Sequence, residues 1–315
     1  MQKRATESVQ RSEPRAFMTT FQEMIFGLQQ FWSTKGCAIL QPYDVEMGAG
    51  TFHPETVFRA LGSEPFYGAF VQPSRRPGDG RYGDNPNRVS KFHQFQVIYK
   101  PSPANAQEIT LDSLKAVGLD PTLHDMRFVE DNWESPTLGA AGLGWELWCD
   151  GMEILQFTYF QQMGGRALSP ISLELAYGLE RIALVLQKKN TFFDLIWSRH
   201  PDGSCITYQD LCQRNENSFS LYNFEEASVE DLLKRFQMAH QEGLRLCDKA
   251  CTHPGDHTKD LYLPAYERCV HASHLFNMLE ARGALSVAER TAYMKHVRDL
   301  AKVCFDAYLH HKESR

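Results

Sequence analysis

An arginine-rich segment from residue 72 to residue 97 is the first place in this sequence where side chains could do chemistry. It reads QPSRRPGDGRYGDNPNRVSKFHQFQV and links two predicted strands through a loop rich in Gly, Pro and Asn. Up to residue 91 its charged residues are Arg75, Arg76, Arg81, Arg88 and Lys91 against Asp79 and Asp84. Guanidinium groups bind phosphate oxygens in pairs and keep their charge, which favours a polyphosphate site. The alternative is a solvated loop in which the arginines pair with the two aspartates.

A second segment, LELAYGLERIALVLQ from Leu173 to Gln187, has the apolar spacing of a buried helix. Glu180 and Arg181 are embedded in it, and charges within so apolar a helix need a partner. Arg181 is therefore either one half of a satisfied ion pair or a clamp on a ligand phosphate. The sequence has neither a Walker A loop nor a Rossmann glycine fingerprint, so a nucleotide site would have to be built in another way.

Composition narrows the class of protein. The chain has 315 residues and a formal net charge of −6, which argues against a nucleic-acid binder that relies on a broadly basic surface. If RNA is a substrate, a partner protein would supply many of the contacts to it. No apolar run is long enough for a membrane span and no secretion signal is evident, so we expect a cytosolic protein without a membrane partner. The eight cysteines are scattered singly, which favours reduced thiols.

The elements that must position these segments follow from periodicity. A capping box at Thr20 and Glu23 predicts a first helix that ends at Gly36. Strands are predicted at 67–72, 93–100, 126–130, 144–149 and 152–161. Asp150 and Gly151 join the last two strands, and an Asp-Gly link is typical of a type I′ hairpin turn. We therefore expect a mainly antiparallel sheet.

The C-terminal part of the sequence changes to a helical pattern beyond Tyr222. Capping pairs at Ser228 and Asp231 and at Ser286 and Glu289 mark two helix starts. A middle helix at about 264–282 should stop before Gly283. These features predict a bundle of three helices.

Taken together, the two charged segments resemble motifs two and three of the class II aminoacyl-tRNA synthetases, in which a strand-loop-strand arginine and a Gly-Leu-Glu-Arg helix hold ATP on an antiparallel sheet. From about Met18 to the C-terminus the sequence also resembles the alpha chains of bacterial two-subunit glycyl-tRNA synthetases. The segments that carry this resemblance are QPYDVEMGAGTFHP (41–54), VQPSRRPGDGRYGDNPNR (71–88), RFVEDNWESPTLGAAGLGWELW (127–148), QFTYFQQMGG (156–165) and YGLERIA (177–183).

The resemblance implies an α+β fold, a class II synthetase catalytic domain with a mainly antiparallel sheet flanked by helices and a C-terminal helical bundle. The expected division is a disordered extension at 1–17, a catalytic domain at 18–198, a linker at 199–224 and a helical domain at 225–315. Because the GAG run at 48–50 has no bulky side chain, its backbone could approach a ligand, although a simple tight turn explains it equally well.

For ATP, comparison with the alanyl enzyme implies that Arg75 contacts the α-phosphate, Phe95 stacks on adenine and Arg181 binds the terminal phosphates. Arg76 and Arg88, on the same loop, are further candidates for ATP binding. We expect Arg75 and Arg181 to converge on one polyphosphate as the catalytic arginines. Magnesium should accompany the ATP, and Glu153 is a candidate ligand, although a strand glutamate can also face solvent.

For glycine, the same comparison implies that Glu174 pairs with the substrate ammonium and Gln156 hydrogen-bonds its carboxylate or amino group. Glu174 could instead be an ordinary helix N-terminal residue. Selection of glycine over alanine must come from exclusion, because each added methyl group improves apolar binding. Trp133, with Trp145 and Trp148, could narrow the pocket or simply fill the core.

The implied function is activation of glycine by ATP to glycyl-adenylate, followed by transfer to tRNA(Gly). The implied assembly is a homodimer of alpha chains joined by two beta subunits, and the C-terminal bundle is the candidate docking surface. A stand-alone AMP-forming ligase and a non-catalytic assembly module are the alternatives. A last group of ligand-type residues, Cys247, Cys251, His253 and His257, is interpreted as a chance arrangement, with no zinc expected, because neither its spacing nor the family suggests zinc.

Overall fold

A computed structural model describes residues 19–252 and 258–313 of the chain. The predicted extension at 1–17 lies outside these residues, as do His253 and His257 of the Cys/His group. Along the described chain, no helix combines the length and the apolar composition that crossing a membrane requires.

The main sheet has eight strands within the described residues, in the order β1-β2-β3-β8-β7-β6-β4, with β5 paired to β6. The strands are β1 (Ala38–Ile39), β2 (Phe66–Arg75), β3 (Lys91–Lys100), β4 (Met126–Asp131), β5 (Glu134–Ser135), β6 (Ala140–Cys149), β7 (Met152–Met163) and β8 (Arg166–Gly178). Every pair is antiparallel except β1 with β2. The prediction of a mainly antiparallel sheet is confirmed. A separate small sheet pairs β9 (Ile196–Arg199) with β10 (Cys205–Thr207).

The helices flank this sheet and close the C-terminus. They are α1 (Phe21–Thr34), α2 (Pro54–Leu61), α3 (Ala106–Ala116), α4 (Leu179–Gln187), α5 (Arg214–Leu221), α6 (Val229–Thr252), α7 (Tyr262–Ala281) and α8 (Val287–Glu313). Turns of π-helix, Gln209–Gln213 and Tyr222–Glu226, extend α5 at both ends. We call the stretch 209–226 the bridging helix.

Local signals set several element boundaries as the sequence predicted. Thr20 caps α1, and the Glu23 carboxylate in return accepts a bond of 2.8 Å from the Thr20 backbone N–H. The same reciprocal pattern at Ser286 starts α8. Asp150 and Gly151 both have positive φ, 50° and 85°, as a type I′ turn requires.

One element prediction was wrong. The apolar run from Leu173 to Gln187 is not a single helix, because β8 continues to Gly178 and α4 begins at Leu179. A buried strand and a buried helix give the same uninterrupted apolar composition, so periodicity could not separate them. Glu174 therefore lies on a central strand, and its explanation as a helix N-terminal residue is also wrong.

Each face of the sheet supports its own hydrophobic core. On one face α1, α3 and α4 pack through side chains such as Trp32, Phe157 and Tyr177. On the other face α2 and the C-terminal helices pack through Phe58, Phe160 and Phe305. Because the helices cover this second face only in part, the polar end of the sheet is left open as a cleft.

The C-terminal helices α6, α7 and α8 pack on one another as the predicted bundle. The segment 199–224, expected as a linker, contains β10 and most of the bridging helix. This helix also contacts the arginine-rich loop: Glu216 accepts the backbone N–H groups of Arg81 and Ser90. The connection between the two parts of the chain thus supports the loop that the sequence analysis singled out.

Candidate active site

A cavity of about 820 Å³ lies between the open end of the sheet and the C-terminal helices. Its floor is formed by Gln94 of β3, Gln156 of β7 and Glu174 of β8. The arginine-rich loop and the start of α4 form one wall, and α7 with the first turn of α8 forms another. Of the residues proposed from sequence, those that line it are Arg76, Arg88, Trp133, Glu153, Gln156, Glu174 and Arg181.

On the side formed by the arginine-rich loop and α4, three guanidinium groups line this cleft. Arg181 Nη1 lies 2.8 Å from the Glu153 carboxylate, and Arg88 Nη1 lies 3.2 Å from Asp79 Oδ1. The Arg76 Nε donates to the Gly48 carbonyl at 2.9 Å, which directs its side chain along the cleft wall. All three side chains keep access to solvent. Several arginines on one concave surface suit an anionic ligand, and because each is held here by a single residue, donors remain for such a ligand.

Arg75 does not share this cleft. Its guanidinium lines a second cavity of about 110 Å³, where Nη1 lies 3.7 Å from Glu46 Oε1. The expectation that Arg75 and Arg181 converge in one cavity is therefore not met. Consecutive side chains of an extended segment project to opposite sides, so only one of the two neighbouring arginines can face the cleft. That residue is Arg76.

The same alternation displaces the proposed adenine platform. Phe95 is fully buried and packs edge-on against Tyr177, 5.8 Å away, in the core beneath the sheet. Phe92 and Gln94, with the opposite strand parity, line the cleft instead. The ring centre of Phe92 lies 5.0 Å from the Arg76 guanidinium carbon. Phe92 is thus the β3 aromatic available to a ligand. The assignment of this role to Phe95 was wrong, because Phe95 projects from the opposite face of β3.

Glu174 is a buried carboxylate at the floor of the cleft. Its side chain accepts a hydrogen bond from Gln96 Nε2 and has a second neutral partner in the Thr51 hydroxyl. Burial raises the pKa of Glu174 to about 7, and these two hydrogen bonds offset only part of that effect. Within the described residues it forms no ion pair. A cationic ligand in the cleft would supply the missing counter-charge.

Gln156 and Trp133 stand beside this carboxylate. Gln156 projects from β7, and its Nε2 donates to Asp131 Oδ2 at 3.0 Å, which fixes the orientation of the amide. Trp133 packs against Phe160 with ring centres 5.5 Å apart and presents its free side to the cleft. The structure thus brings Trp133, Gln156 and Glu174 together.

The other two tryptophans of the predicted set do not line the cleft. Trp145 packs against Phe157 at 5.5 Å between ring centres, in the core on the opposite face of the sheet. Trp148 donates its indole N–H to Glu146 Oε2 at 2.9 Å. Of the three tryptophans, therefore, Trp133 is the one that narrows the cleft.

The GAG run at 48–50 forms the rim next to the floor. The Gly50 N–H donates to Gln94 Oε1 at 3.1 Å, and a Cβ at Gly50 would lie 2.6 Å from Gln96 Oε1. Such a contact is far too short, so a side chain here would push the loop off the floor. The glycine lets the backbone approach Gln94 and Gln96, and Gln96 is the residue that donates to Glu174.

Glu180, the neighbour of Arg181, supports the site by fixing the start of α4. Its buried carboxylate accepts the His93 backbone N–H at 2.8 Å, contacts His93 Nδ1 at 2.8 Å and accepts the Tyr208 hydroxyl at 3.0 Å. This joins the first turn of α4 to β3. Of the two charges in the apolar helix, Glu180 is the satisfied structural one, and Arg181 faces the cleft.

Sequence reasoning missed the contribution of the C-terminal helices. Ser273, Asn277 and Glu280 of α7 line the cleft, and Arg290 of α8 forms an ion pair with Glu280 at its edge. These residues follow no recognisable motif. They reach the cleft through long-range packing of the bundle on the sheet, which a local pattern does not reveal.

Candidate metal ligands within the described residues lie in the cleft and at the β6–β7 hairpin. Glu153 lines the cleft, but the one group of three ligand-type side chains close enough to share an ion is His124, Cys149 and Asp150 at the hairpin. A single carboxylate suits magnesium, which usually takes one or two protein carboxylates and phosphate oxygens for the rest. Cys247 is a buried bundle residue with its sulfur 3.5 Å from that of Cys304.

Comparison with known proteins gives two findings. A family model described as "Glycyl-tRNA synthetase alpha subunit" matches residues 21–313. Among solved structures, a pyrrolysyl tRNA synthetase from Desulfitobacterium hafniense is similar, with a TM-score of 0.36 and 10% sequence identity. That match covers 54% of this chain and 68% of the other.

Proposed function

The chain belongs to the glycyl-tRNA synthetase alpha subunit family, and from that premise we propose that its cleft activates glycine with ATP. The observation that supports this most is that one cavity contains both a group of positive charges and a buried carboxylate. Three guanidinium groups stand at one side, and the buried carboxylate of Glu174, without a counter-cation in the described residues, stands at the floor. A polyphosphate and an ammonium group are the ligands that these features would neutralise.

In the proposed complex Arg76, Arg88 and Arg181 hold the ATP phosphates, and Phe92 provides the aromatic surface for adenine. Glu153 is the residue that would hold magnesium, which would neutralise charge on the phosphate oxygens. Arg181 would then exchange its partner, from the Glu153 carboxylate to phosphate. In the structure the Arg181 guanidinium lies 2.8 Å from the Glu153 carboxylate.

Glycine would lie on the floor, with its ammonium on Glu174 and its amino or carboxylate group on Gln156. Its carboxylate oxygen then attacks the α-phosphorus, an O–P bond forms, and the bond to pyrophosphate breaks. No covalent enzyme intermediate is needed. Catalysis comes from holding both reactants in line and from arginines that stabilise the charge moving onto pyrophosphate.

Exclusion accounts for the choice of glycine. A pocket cannot prefer a hydrogen over a methyl group by attraction, so it must leave no room for the methyl group. Trp133 and the polar floor around Glu174 are the bulky surroundings available in this cleft. Discrimination against alanine is therefore assigned to Trp133.

The second step, transfer of glycine to the terminal ribose hydroxyl of tRNA(Gly), is proposed to require a beta subunit. The formal net charge of −6 fits a chain that leaves most of the RNA contact to a partner. We propose an assembly of two alpha and two beta chains, as the resemblance implies, with the C-terminal bundle as the candidate surface for docking beta. The bundle also lines the cleft, so a beta subunit docked on it would lie close to the bound substrates.

The experiment is ATP–pyrophosphate exchange with purified chain, supplied with glycine, alanine or serine, in the presence and absence of the beta subunit. Exchange that requires glycine supports the proposal. Activity that charges another acceptor without beta or tRNA would favour a stand-alone AMP-forming ligase. Absence of exchange under every condition would favour a non-catalytic assembly module.

A further inference from the structure

Glu216 lies on the bridging helix, outside the cleft, and contacts the arginine-rich loop on the side away from the cleft. Its carboxylate is 4% exposed, and Oε1 accepts the Arg81 backbone N–H at 2.8 Å. Oε2 accepts both the backbone N–H and the hydroxyl of Ser90, each at 2.8 Å. One side chain therefore fastens two points of the loop.

These two points control the arginines that face the cleft. Ser90 in turn accepts the backbone N–H of Arg76 through its carbonyl, at 2.7 Å. Arg88 lies between the two fastened residues, two positions before Ser90. The carboxylate thus fixes the backbone from which both Arg76 and Arg88 project.

The bridging helix and the arginine-rich loop pack closely at further positions. Ser220, one turn after Glu216, accepts the Tyr82 backbone N–H at 3.0 Å. A Cβ at Gly80 would lie 2.7 Å from the Ser220 hydroxyl, and one at Gly83 would lie 2.5 Å from Asn217 Oδ1. The loop glycines therefore let the backbone lie directly against the helix.

The bridging helix is itself fixed to the cleft wall. Arg282, which follows α7, donates from Nε to the Ala227 carbonyl at 3.0 Å and from Nη1 to the Phe224 carbonyl. Four residues of α7 line the cleft. A continuous set of contacts therefore leads from the cleft wall, through Arg282 and Glu216, to the arginine-rich loop.

We propose that Glu216 is a positioning residue that holds the arginine-rich loop in the geometry that binds ATP. This rests on the proposed function of the cleft. An ionised carboxylate only accepts hydrogen bonds, which matches the four donors that converge on it, namely the backbone N–H groups of Arg81 and Ser90 and the hydroxyls of Ser90 and Ser220. A glutamine at this position would point an amide N–H₂ at some of those donors, so a buried N–H would lose its partner and the loop would leave its position.

The test compares Glu216→Gln with Glu226→Gln, an exposed glutamate at the end of the same helix, in the full chain with its beta subunit. Loss of one buried hydrogen bond should raise KM for ATP about tenfold in the exchange assay, while KM for glycine changes less than about twofold. Trypsin cleavage after Arg81 and Arg88 should accelerate in Glu216→Gln and remain at the wild-type rate in Glu226→Gln.

Equal changes in both KM values, or an unchanged KM for ATP, would overturn the proposal. If Glu216→Gln does not fold, Ser220→Ala removes a single contact to the loop and should give the same selective rise in KM for ATP. If the wild-type protein shows no exchange, the proposed function fails. The trypsin assay still decides whether Glu216 holds the loop, because it needs no substrate.

Discussion

Arg181 and Glu153 form an ion pair of 2.8 Å at the wall of the cleft, and the same guanidinium nitrogen also donates to the Glu153 backbone carbonyl at 3.0 Å. About a third of each side chain remains exposed, 31% for Arg181 and 33% for Glu153. A pair this accessible contributes about 1 kcal/mol or less to stability. The ion pair therefore holds the Arg181 guanidinium in a defined position but contributes little to the stability of the fold. A ligand phosphate could replace the Glu153 carboxylate as its partner at little cost in stability.

Arg181→Ala should abolish glycine-dependent exchange, with a loss of about a hundredfold or more, as is typical when one stabilising donor is removed from a reaction site. The fold should persist, because about a third of each side chain in the lost ion pair is exposed to solvent. Thermal unfolding and exchange measured together check both statements. Arg127→Ala, which removes the exposed pair with Asp125, is the matched control and should change neither. Undiminished exchange in Arg181→Ala would remove this residue from the site.

Arg76→Ala should raise KM for ATP far more than Arg75→Ala, because Arg76 lines the large cleft and Arg75 lines the smaller cavity beside Glu46. Loss of one charged hydrogen bond to a phosphate corresponds to roughly tenfold or more in affinity. Nucleotide titration of both variants measures this directly. A larger effect from Arg75 would show that the loop rearranges when ATP binds and would restore the role first expected for that residue.

Glycine binding should weaken as the pH falls below 7. Burial raises the pKa of Glu174 from the usual value near 4.5 to about 7, so below pH 7 the ammonium meets a protonated, neutral partner. KM for glycine should rise about tenfold per pH unit once Glu174 is mostly protonated, the slope of a single titrating group. Exchange kinetics between pH 5.5 and pH 8 provide the test. Glu174→Gln should bind glycine weakly at every pH, and a flat wild-type profile would contradict the assignment.

The same group should make the unliganded fold less stable as the pH rises. Because the folded pKa of about 7 exceeds the unfolded value near 4.5, the folded state binds more protons between these values. The stabilising contribution of Glu174 is present below pH 4.5 and is lost as the pH rises through 7. Glu174→Gln should therefore raise the melting temperature at pH 8 relative to wild type. A lower melting temperature for this variant at pH 8 would show that the carboxylate already has a counter-charge.

Trp133→Ala should relax the selection of glycine. Removing the indole from the cleft makes room for a methyl group next to Gln156 and Glu174. One methyl group is worth about 10-fold or more in a pocket, so exchange with alanine should rise by at least that factor relative to glycine. Trp145→Ala, a substitution in the core beneath the sheet, controls for general loosening of the protein. Equal effects of the two variants would assign selectivity elsewhere.

Much of the fold was readable from local chemistry. The capping box at Thr20 and the positive φ values at Asp150 and Gly151 are local devices whose residues determine their own geometry. The boundary between β8 and α4 was not readable, because Leu173 to Gln187 is buried throughout. A segment that is buried on all sides has no alternation of polar and apolar residues, so periodicity cannot distinguish a strand from a helix.

The site itself was predictable only in outline. The arginine-rich loop and the α4 arginine were found, but the choice between Arg75 and Arg76, and between Phe95 and Phe92, depends on strand parity. A shift of one residue exchanges the two faces of a strand, and no local signal settled that parity. Asn277 and Arg290 belong to the C-terminal bundle and reach the cleft by packing alone, which explains why they were missed.

A crystal structure with a non-hydrolysable glycyl-adenylate analogue would show directly which side chains hold the phosphate and the ammonium group. We expect the α-phosphate group to lie against Arg76 in the large cleft and the ammonium group to lie within hydrogen-bond distance of Glu174. An analogue whose phosphate binds in the cavity of Arg75 and Glu46, or whose ammonium group contacts residues other than Glu174, would contradict it.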